Sequence, residues 1–341
     1  MSFLVIGNEI DALVIGKFLK ERGWPLSMLS KGRFEYNSDC ELVNPNEFKE
    51  VGFDYKKGLL TNIDSIEVID LYSNTFEAKT NTVLINLAAY KNDLIKSIKG
   101  SQLYENSTYI DKNNDNIFIQ HGDHGTLIKS RHVIGVNDIN LAKTVLNPLT
   151  KSCVKATVER KAEKGRLTLK FFDSGYLWIV NYSDRIAEIC VVSNNAEKDF
   201  NEYLFDHNLK VIFKRNIAIP YFKKDRLLFN KNVYLSGSSA LITNNLNFYN
   251  LILHLKFAEL TGTFAHELMT KKNISYPYFT KSFDEELLKL EKRGKVFWEL
   301  SKDKKNEMIH KIDFSNFALD FESAYNKVSK ISPIKLKLLF S

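Results

Sequence analysis

The chain has 341 residues, 44% of them hydrophobic and 26% charged, with a net charge of +7. That length can bury a sizeable core in one large or two moderate domains, and the composition excludes the disordered and fibrous classes. The lysines are dispersed rather than gathered into a basic arm, so nucleic acid is not expected as a partner; a solvated lysine-rich face and contact with an anionic membrane surface both accommodate the charge.

In chain order, the stretch Phe3 to Ser30 (FLVIGNEIDALVIGKFLKERGWPLSMLS) spells strand, tight turn, helix and strand. Phe3 to Ile6 form a short buried strand, and Gly7 opens the turn. Ile10, Leu13, Val14, Phe18 and Leu19 recur at helical spacing until Gly23, and Pro25 to Leu29 make a second strand. This is a βαβ opening of dinucleotide-binding type. The Gly-x-Gly-x-x-Gly pattern lands on Gly7, Glu9 and Ala12, so the turn glycine and the small packing position are kept while the middle glycine is a glutamate. Backbone must approach a pyrophosphate there, and a carboxylate both intrudes and repels the phosphates. At the end of the second strand, where an acidic residue would hold a ribose hydroxyl, stands Ser30. The apolar start is interrupted by Asn8, Glu9 and Asp11 and lacks a basic flank, so neither a signal peptide nor a membrane span is expected.

Residues Lys31 to Glu50 are polar and turn-rich and contain Cys40. Gly58 to Asn81 alternate apolar and polar residues, as hairpin strands do. TVLINLAAYKNDLIKSIKGS predicts a strand leading into an amphipathic helix that Gly100 closes. Strands at Ile117 to Gln120 and Thr126 to Ile128 flank the turn HGDHG, and HVIGVNDINLAKTVL predicts a buried strand, a turn and a helix. From Cys153 to Phe222 the pattern is one of alternating strands (CVKATVER, RLTLKFF, GYLWIVNY, AEICVVS, KVIFKRNIAIPY) with one short helix between Asn194 and His207. NVYLSGSSA returns to buried strand and turn, followed by a long helix from Asn247 to Leu268. Phe283 to Phe340 is helical and lysine-rich, with Ser301 as an N-cap; it suits either a membrane interface or packing against the sheet.

Cys40, Cys153 and Cys190 lie far apart without C-x-x-C spacing, which argues against zinc and a disulfide framework and for a reducing cytoplasm. His121, Asp123 and His124 crowd one turn, which turn chemistry explains better than a metal. No Walker loop, Gly-x-Ser-x-Gly elbow or Ser/His/Asp signature supports a hydrolase or phosphotransferase.

The order of these segments resembles the geranylgeranyl reductase family, within the larger group of flavoproteins whose FAD domain is interrupted by a sheet domain. VIGVNDINLAKTVLN is similar to the family's Asp-Gly turn, GYLWIVNY to its Tyr-x-Trp-x-Phe-Pro substrate strand, and IAIPY followed by NVYLSGSSALITNN to the run into its Gly-Asp flavin motif. The resemblance implies an α/β fold: a Rossmann-like FAD/NAD(P)-binding domain (1–45, 80–150, 225–275), an antiparallel-sheet substrate domain (46–79, 151–224) and a helical region (276–341). It also implies FAD as cofactor, reduction of isoprenoid double bonds in polyprenyl chains, and Cys40 as a proton donor; the bland alternative for Cys40 is an inert loop cysteine. Tyr176 and Trp178 share one face of an alternating strand, either as an aromatic wall for an isoprenoid chain or as core.

The family's ligand positions are altered here. Leu87 replaces an arginine, Asn137-Asp138 the Asp-Gly turn, Ser238 follows Gly237 in place of aspartate, and Phe248 and Tyr249 replace glycines beside the flavin. With Glu9 and Ser30, these changes predict a lost or weakened FAD site and a protein that binds a prenyl lipid or a partner protein. The competing expectation is an active FAD-dependent reductase with an unorthodox site.

Overall fold

The computed structural model describes residues 2–34, 39–136, 138, 141, 149–222, 228–230, 232–271 and 274–315. The opening folds as strand β1 (Phe3–Ile6), helix α1 (Ile10–Glu21) and strand β2 (Leu26–Leu29). β1 lies between β2 and β10 (His132–Gly135) in a sheet of order β16-β17-β10-β1-β2-β6, where β6 is Gln102–Tyr104, β16 Phe229–Asn230 and β17 Val233–Leu235. All its pairings are parallel except that of β16 with β17. β1 is buried throughout because both faces are covered. Phe3 and Val5 pack with Leu13, Leu19 and Ile98, while Leu4 and Ile6 pack with Ile117, Phe257 and Phe264. Burial on both faces is why its sequence is a continuous apolar run.

The second, larger sheet has the order β15-β11-β14-β13-β12-β4-β5-β3. Its strands are β3 (Cys40–Val43), β4 (Leu59–Ile69), β5 (Thr75–Asn86), β11 (Thr150–Glu159), β12 (Leu167–Phe172), β13 (Gly175–Asn181), β14 (Ile186–Ser193) and β15 (Lys210–Pro220). Only β12 with β4 is parallel. The hairpin and the run of strands after Cys153 follow expectation. Two features do not. Val83 to Ile85 continue β5 within this sheet, and the polar stretch after Lys31 contributes β3, which pairs Cys40 with Asn86 and Val43 with Val83. A short apolar run has the same periodicity in a parallel or an antiparallel setting, and β3 is too short to announce itself. Helix α2 (Pro45–Glu50) follows β3, capped by Asn44 Oδ1, which accepts from the backbone of Asn46 and Glu47. Helix α3 (Ala88–Ser97) follows β5.

Helix α4 (Ala196–Asp206) covers one face of the large sheet: Phe200 and Tyr203 pack against Val154, Val158, Ile179 and Ile189. The opposite face looks toward the parallel sheet. A meander of β7 (Ser107–Asn113), β8 (Asn116–His121) and β9 (His124–Lys129) inserts before β10. The HGDHG turn joins β8 to β9, with His121 Nδ1 at 3.0 Å from the Glu105 carbonyl oxygen, and no metal-ligand cluster occurs among the described residues.

Helix α5 (Leu251–Thr270) packs on α1, and α6 (Tyr276–Glu299) and α7 (Lys302–Ile309) close the described chain. Gly294 lets α6 approach the 245–246 backbone, where a Cβ would stand 2.3 Å from the Asn245 oxygen. Trp298 Nε1 donates to the Asn245 and Leu246 carbonyls at 3.2 and 3.1 Å. Ser301 is the N-cap of α7, without a side-chain capping hydrogen bond. Residues 316–341 of the expected helical tail lie outside the described residues. No described helix is long and apolar enough to cross a membrane.

Candidate functional site

Ligands in open α/β folds sit at the carboxyl ends of parallel strands, so the turn after β1 is the first place to look. Gly7 has φ 136, a backbone conformation natural only to glycine, and donates to the Leu29 carbonyl at 2.8 Å. Glu9 is the N-cap of α1 but does not cap it with its side chain. Its Oε2 accepts instead from Lys91 Nζ at 2.5 Å, and Lys91 is fully buried on α3. The carboxylate is thus fixed at the helix amino terminus by an internal cation one turn beyond Leu87. Ala12 is buried against the sheet. Ser30, also buried, accepts from the Gly32 N–H at 3.1 Å.

Lys31, after β2, donates to Asp138 Oδ1, after β10, at 2.8 Å. β2 and β10 flank β1 on opposite sides, so this ion pair spans the crevice above the β1 turn. Asp138 is held in turn by Ser239, whose Oγ accepts from the Asp138 N–H at 2.9 Å. Asn137, the other half of that turn, lies outside the described residues. Past β17, Gly237 begins a short 3-10 turn with φ 52, and Ser238 follows. Leu241 and Phe248 hold left-handed φ values of 54 and 56. Large side chains adopt that region at a cost of roughly 1–3 kcal/mol, so the segment keeps a backbone that suits glycine while carrying bulky residues. The Phe248 ring packs edge-on against Tyr221 at 5.4 Å and lies 6.1 Å from Trp298.

Between this crevice and the large sheet lies a cavity of about 380 Å³. Glu9, Ser238, Phe248 and His254 line it from the first side, and Lys155, Tyr176, Trp178 and Arg215 from the second. The pairings Trp178↔Cys190 and Lys155↔Cys190 put these side chains on one face of the sheet. Tyr176 and Trp178 are therefore both core and wall: each is almost fully buried, and Tyr176 Oη donates to the Asn247 carbonyl at 2.6 Å.

The cavity is not purely apolar. Lys155 Nζ donates to Asp39 Oδ1 at 3.3 Å, to the Cys40 carbonyl at 2.9 Å and to Glu41, and Arg215 also pairs with Asp39. Burial pushes Asp39 up, but the cations Lys155 and Arg215 outweigh it and hold the group at about 2. Burial likewise opposes the Lys155 charge, and Asp39 and Glu41 overcome it, leaving the ammonium well above its ordinary range. Glu188, behind Lys155, is pushed up to about 7 by burial. A cluster of this kind survives in low dielectric because each charge has its partner.

Cys40 lies on β3 within the core, and burial pushes its thiol up to about 12. Its backbone carbonyl, not its sulfur, meets the site. Cys153 and Cys190 come within 3.7 Å of each other at the cavity wall. They sit diagonally, since Cys153 pairs with Val192, a spacing that does not suit a disulfide.

Sequence reasoning missed Lys91, Asp39, Lys155 and Arg215. In CVKATVER the apolar Val154, Ala156 and Val158 face α4, so the alternation is correct, but the face it leaves to Lys155 is the cavity rather than solvent.

No protein-family model and no curated protein matches the sequence. Among solved structures, a geranylgeranyl bacteriochlorophyll reductase-like protein from Thermoplasma acidophilum superposes with TM-score 0.79 at 12% identity, over 99% of this chain and 98% of that one. The chain has the fold of the FAD-dependent oxidoreductases. The same fold is seen in p-nitrophenol 4-monooxygenase from Pseudomonas putida (TM-score 0.65, 14% identity, 96% of both chains). A flavoprotein/dehydrogenase from Cytophaga hutchinsonii also shares it (TM-score 0.65, 11% identity, 97% and 94%).

Proposed function

We propose that this flavoprotein-fold chain has lost, or severely weakened, its FAD site and acts through its inter-sheet cavity as a binding protein for an isoprenoid lipid or a similarly amphipathic ligand. The observation that carries this reading is the pair of internal ion pairs, Glu9–Lys91 and Lys31–Asp138, at the carboxyl edge of the parallel sheet. FAD needs a helix amino terminus open to its pyrophosphate, an acidic partner for its ribose, and close backbone beside its ring. The chain offers a carboxylate at Glu9, a hydroxyl already used at Ser30, and the Phe248 ring. These residues do not fit the cofactor, so no flavin chemistry is assigned to them. The cavity's walls suit a ligand with an apolar body against Tyr176 and Trp178 and a polar end toward Lys155 and Arg215.

A second reading, an active FAD-dependent reductase of polyprenyl chains, is favoured by one feature: Ser238 and Glu9 from the dinucleotide side share this cavity with Tyr176 and Trp178. A visible spectrum of protein purified without added flavin separates the two. Colourless protein with no calorimetric response to FAD, but with a Trp178 fluorescence change on adding geranylgeraniol, fits the binder. Replacing Trp24 and Trp298 isolates that signal. Yellow protein, or micromolar FAD binding, would overturn it in favour of the reductase.

A further inference from the structure

The polar end of the inter-sheet cavity has more acceptors than its cations can serve. An ammonium has three protons to give, and those of Lys155 go to Asp39 Oδ1, the Cys40 carbonyl and Glu41 Oε1. Arg215 pairs with the same Asp39 oxygen. Asp39 therefore meets both cations, whereas Glu41 bonds to Lys155 alone among the described residues. Glu188, two positions from Cys190 on β14 and so on the face that carries Lys155, is a third carboxyl group, and it accepts from the Thr157 hydroxyl at 3.0 Å. Three carboxyl groups thus share two cations. Asp39 is held at about 2, but burial pushes Glu41 up against the pull of Lys155 and carries Glu188 to about 7.

The geometry shows where a further positive charge would go. Glu41 lines the cavity with its side chain 21% exposed, and its second oxygen has no hydrogen bond among the described residues. At the crevice end Glu9 and Asp11 add two more carboxylates, which face Lys91 at 2.5 Å and His254 at 3.5 Å. A phosphate in this space would meet four carboxylates and an ammonium whose protons are already taken. The rings of Tyr176, Trp178 and Phe248 line the middle, and aromatic faces attract a cation as well as packing an apolar chain. Glu9 and Arg215, 39% and 28% exposed, stand where the cavity meets solvent.

We propose that the ligand of this cavity is a lipophilic amine, whose ammonium head donates to Glu41 while its apolar body lies against Tyr176 and Trp178. The assignment rests on the binding role proposed above and narrows it: the head is a cation, not a phosphate, and no bond is made or broken.

Calorimetry on the intact chain at pH 7 with farnesylamine, farnesol and farnesyl phosphate tests this, since all three carry the same apolar chain. The amine should bind tightest, by about tenfold over the alcohol for a charge-assisted hydrogen bond in place of a neutral one, and the phosphate weakest. A net charge of +7 repels amines and attracts phosphates at the surface, so this order would report the cavity. Glu41→Gln, checked for a cooperative melt, should cancel the amine's advantage over farnesol, and Glu41→Asp should keep it. Alcohol or phosphate binding as tightly as the amine, or an advantage surviving in Glu41→Gln, would overturn the head-group assignment and leave the binding role standing. Binding of none of the three would overturn both.

Discussion

At the carboxyl edge of the parallel sheet each ion pair ties the chain to itself with one half-exposed and one buried member: Lys31 is 45% and Asp138 8% exposed, Glu9 39% and Lys91 0%. Beneath the large sheet the central pair is sealed, with the Lys155 side chain 5% and that of Asp39 6% exposed against 21% for Glu41 and 28% for Arg215, and a cavity persists beside them. In the first arrangement water screens one end of each pair, which limits what the pair contributes. The second is maintained against a large desolvation penalty. The cavity side is therefore the part of the molecule whose polar chemistry the fold protects, and the crevice side the part whose ion pairs stand open to solvent at one end.

The sharpest way to break that comparison is to remove one cation from each region. Lys155→Ala leaves Asp39 and Glu41 without their shared partner and should cost about 3–5 kcal/mol in urea unfolding. A loss under about 1 kcal/mol would mean that the buried cluster is wetter than its geometry indicates. Next in size is Glu188. Its folded value of about 7 is raised above an ordinary 4.5, so the folded state binds the proton more tightly. The stability it contributes is full below pH 4.5 and declines as pH rises toward 7. Carrying the group from 4.5 to about 7 corresponds to about 3 kcal/mol at most. Glu188→Gln should be near neutral at pH 4.5 and stabilising at pH 7; equal melting shifts at both would refute the assignment. Asp39 has the opposite sign. Held at about 2, below its ordinary 3.8, it stabilises above pH 3.8 and loses that contribution as pH falls toward 2.

For the crevice, Glu9→Gly alone should give no measurable FAD affinity, because Ser30 and Ser238 still lack acidic groups for the ribose and ribityl hydroxyls. The triple change Glu9→Gly, Ser30→Glu, Ser238→Asp should give some by calorimetry. Restored binding from Glu9→Gly alone would show that one carboxylate was the whole obstacle. In that variant Lys91 loses the Glu9 carboxylate, so its melt must be checked beside the titration.

How much of this was legible follows the same division. The βαβ opening, the alternating strands after Cys153 and the order of segments were readable because each depends on local periodicity, and Gly7, Glu9 and Ala12 could be placed by spacing alone. Lys91 could not, since nothing in AAYKNDLIKS says that its lysine turns inward to Glu9. Asp39, Lys155 and Arg215 belong to segments far apart in sequence that meet only when β3 and β15 take their places in the large sheet. Cys153 and Cys190 are another such pair. Without coordinates, a lysine on an alternating strand has the same signature whether its face meets water or a cavity.

The smallest effect tests the comparison most directly. A double-mutant cycle between Lys31→Ala and Asp138→Asn should give a coupling energy of about 1 kcal/mol or less that falls as salt rises from 0.01 M toward 1 M, where the screening length shrinks from about 30 to about 3 Å. The same cycle between Lys155→Met and Asp39→Asn should give about 2 kcal/mol or more and hardly respond to salt, because ions do not enter a site only 5–6% exposed. If the Lys31–Asp138 coupling were instead large and salt-insensitive, the strap over the β1 turn would be a buried lock. The crevice would then be closed as firmly as the cavity cluster is sealed, and opening it would need Lys31 removed before any change at Glu9 could admit a dinucleotide.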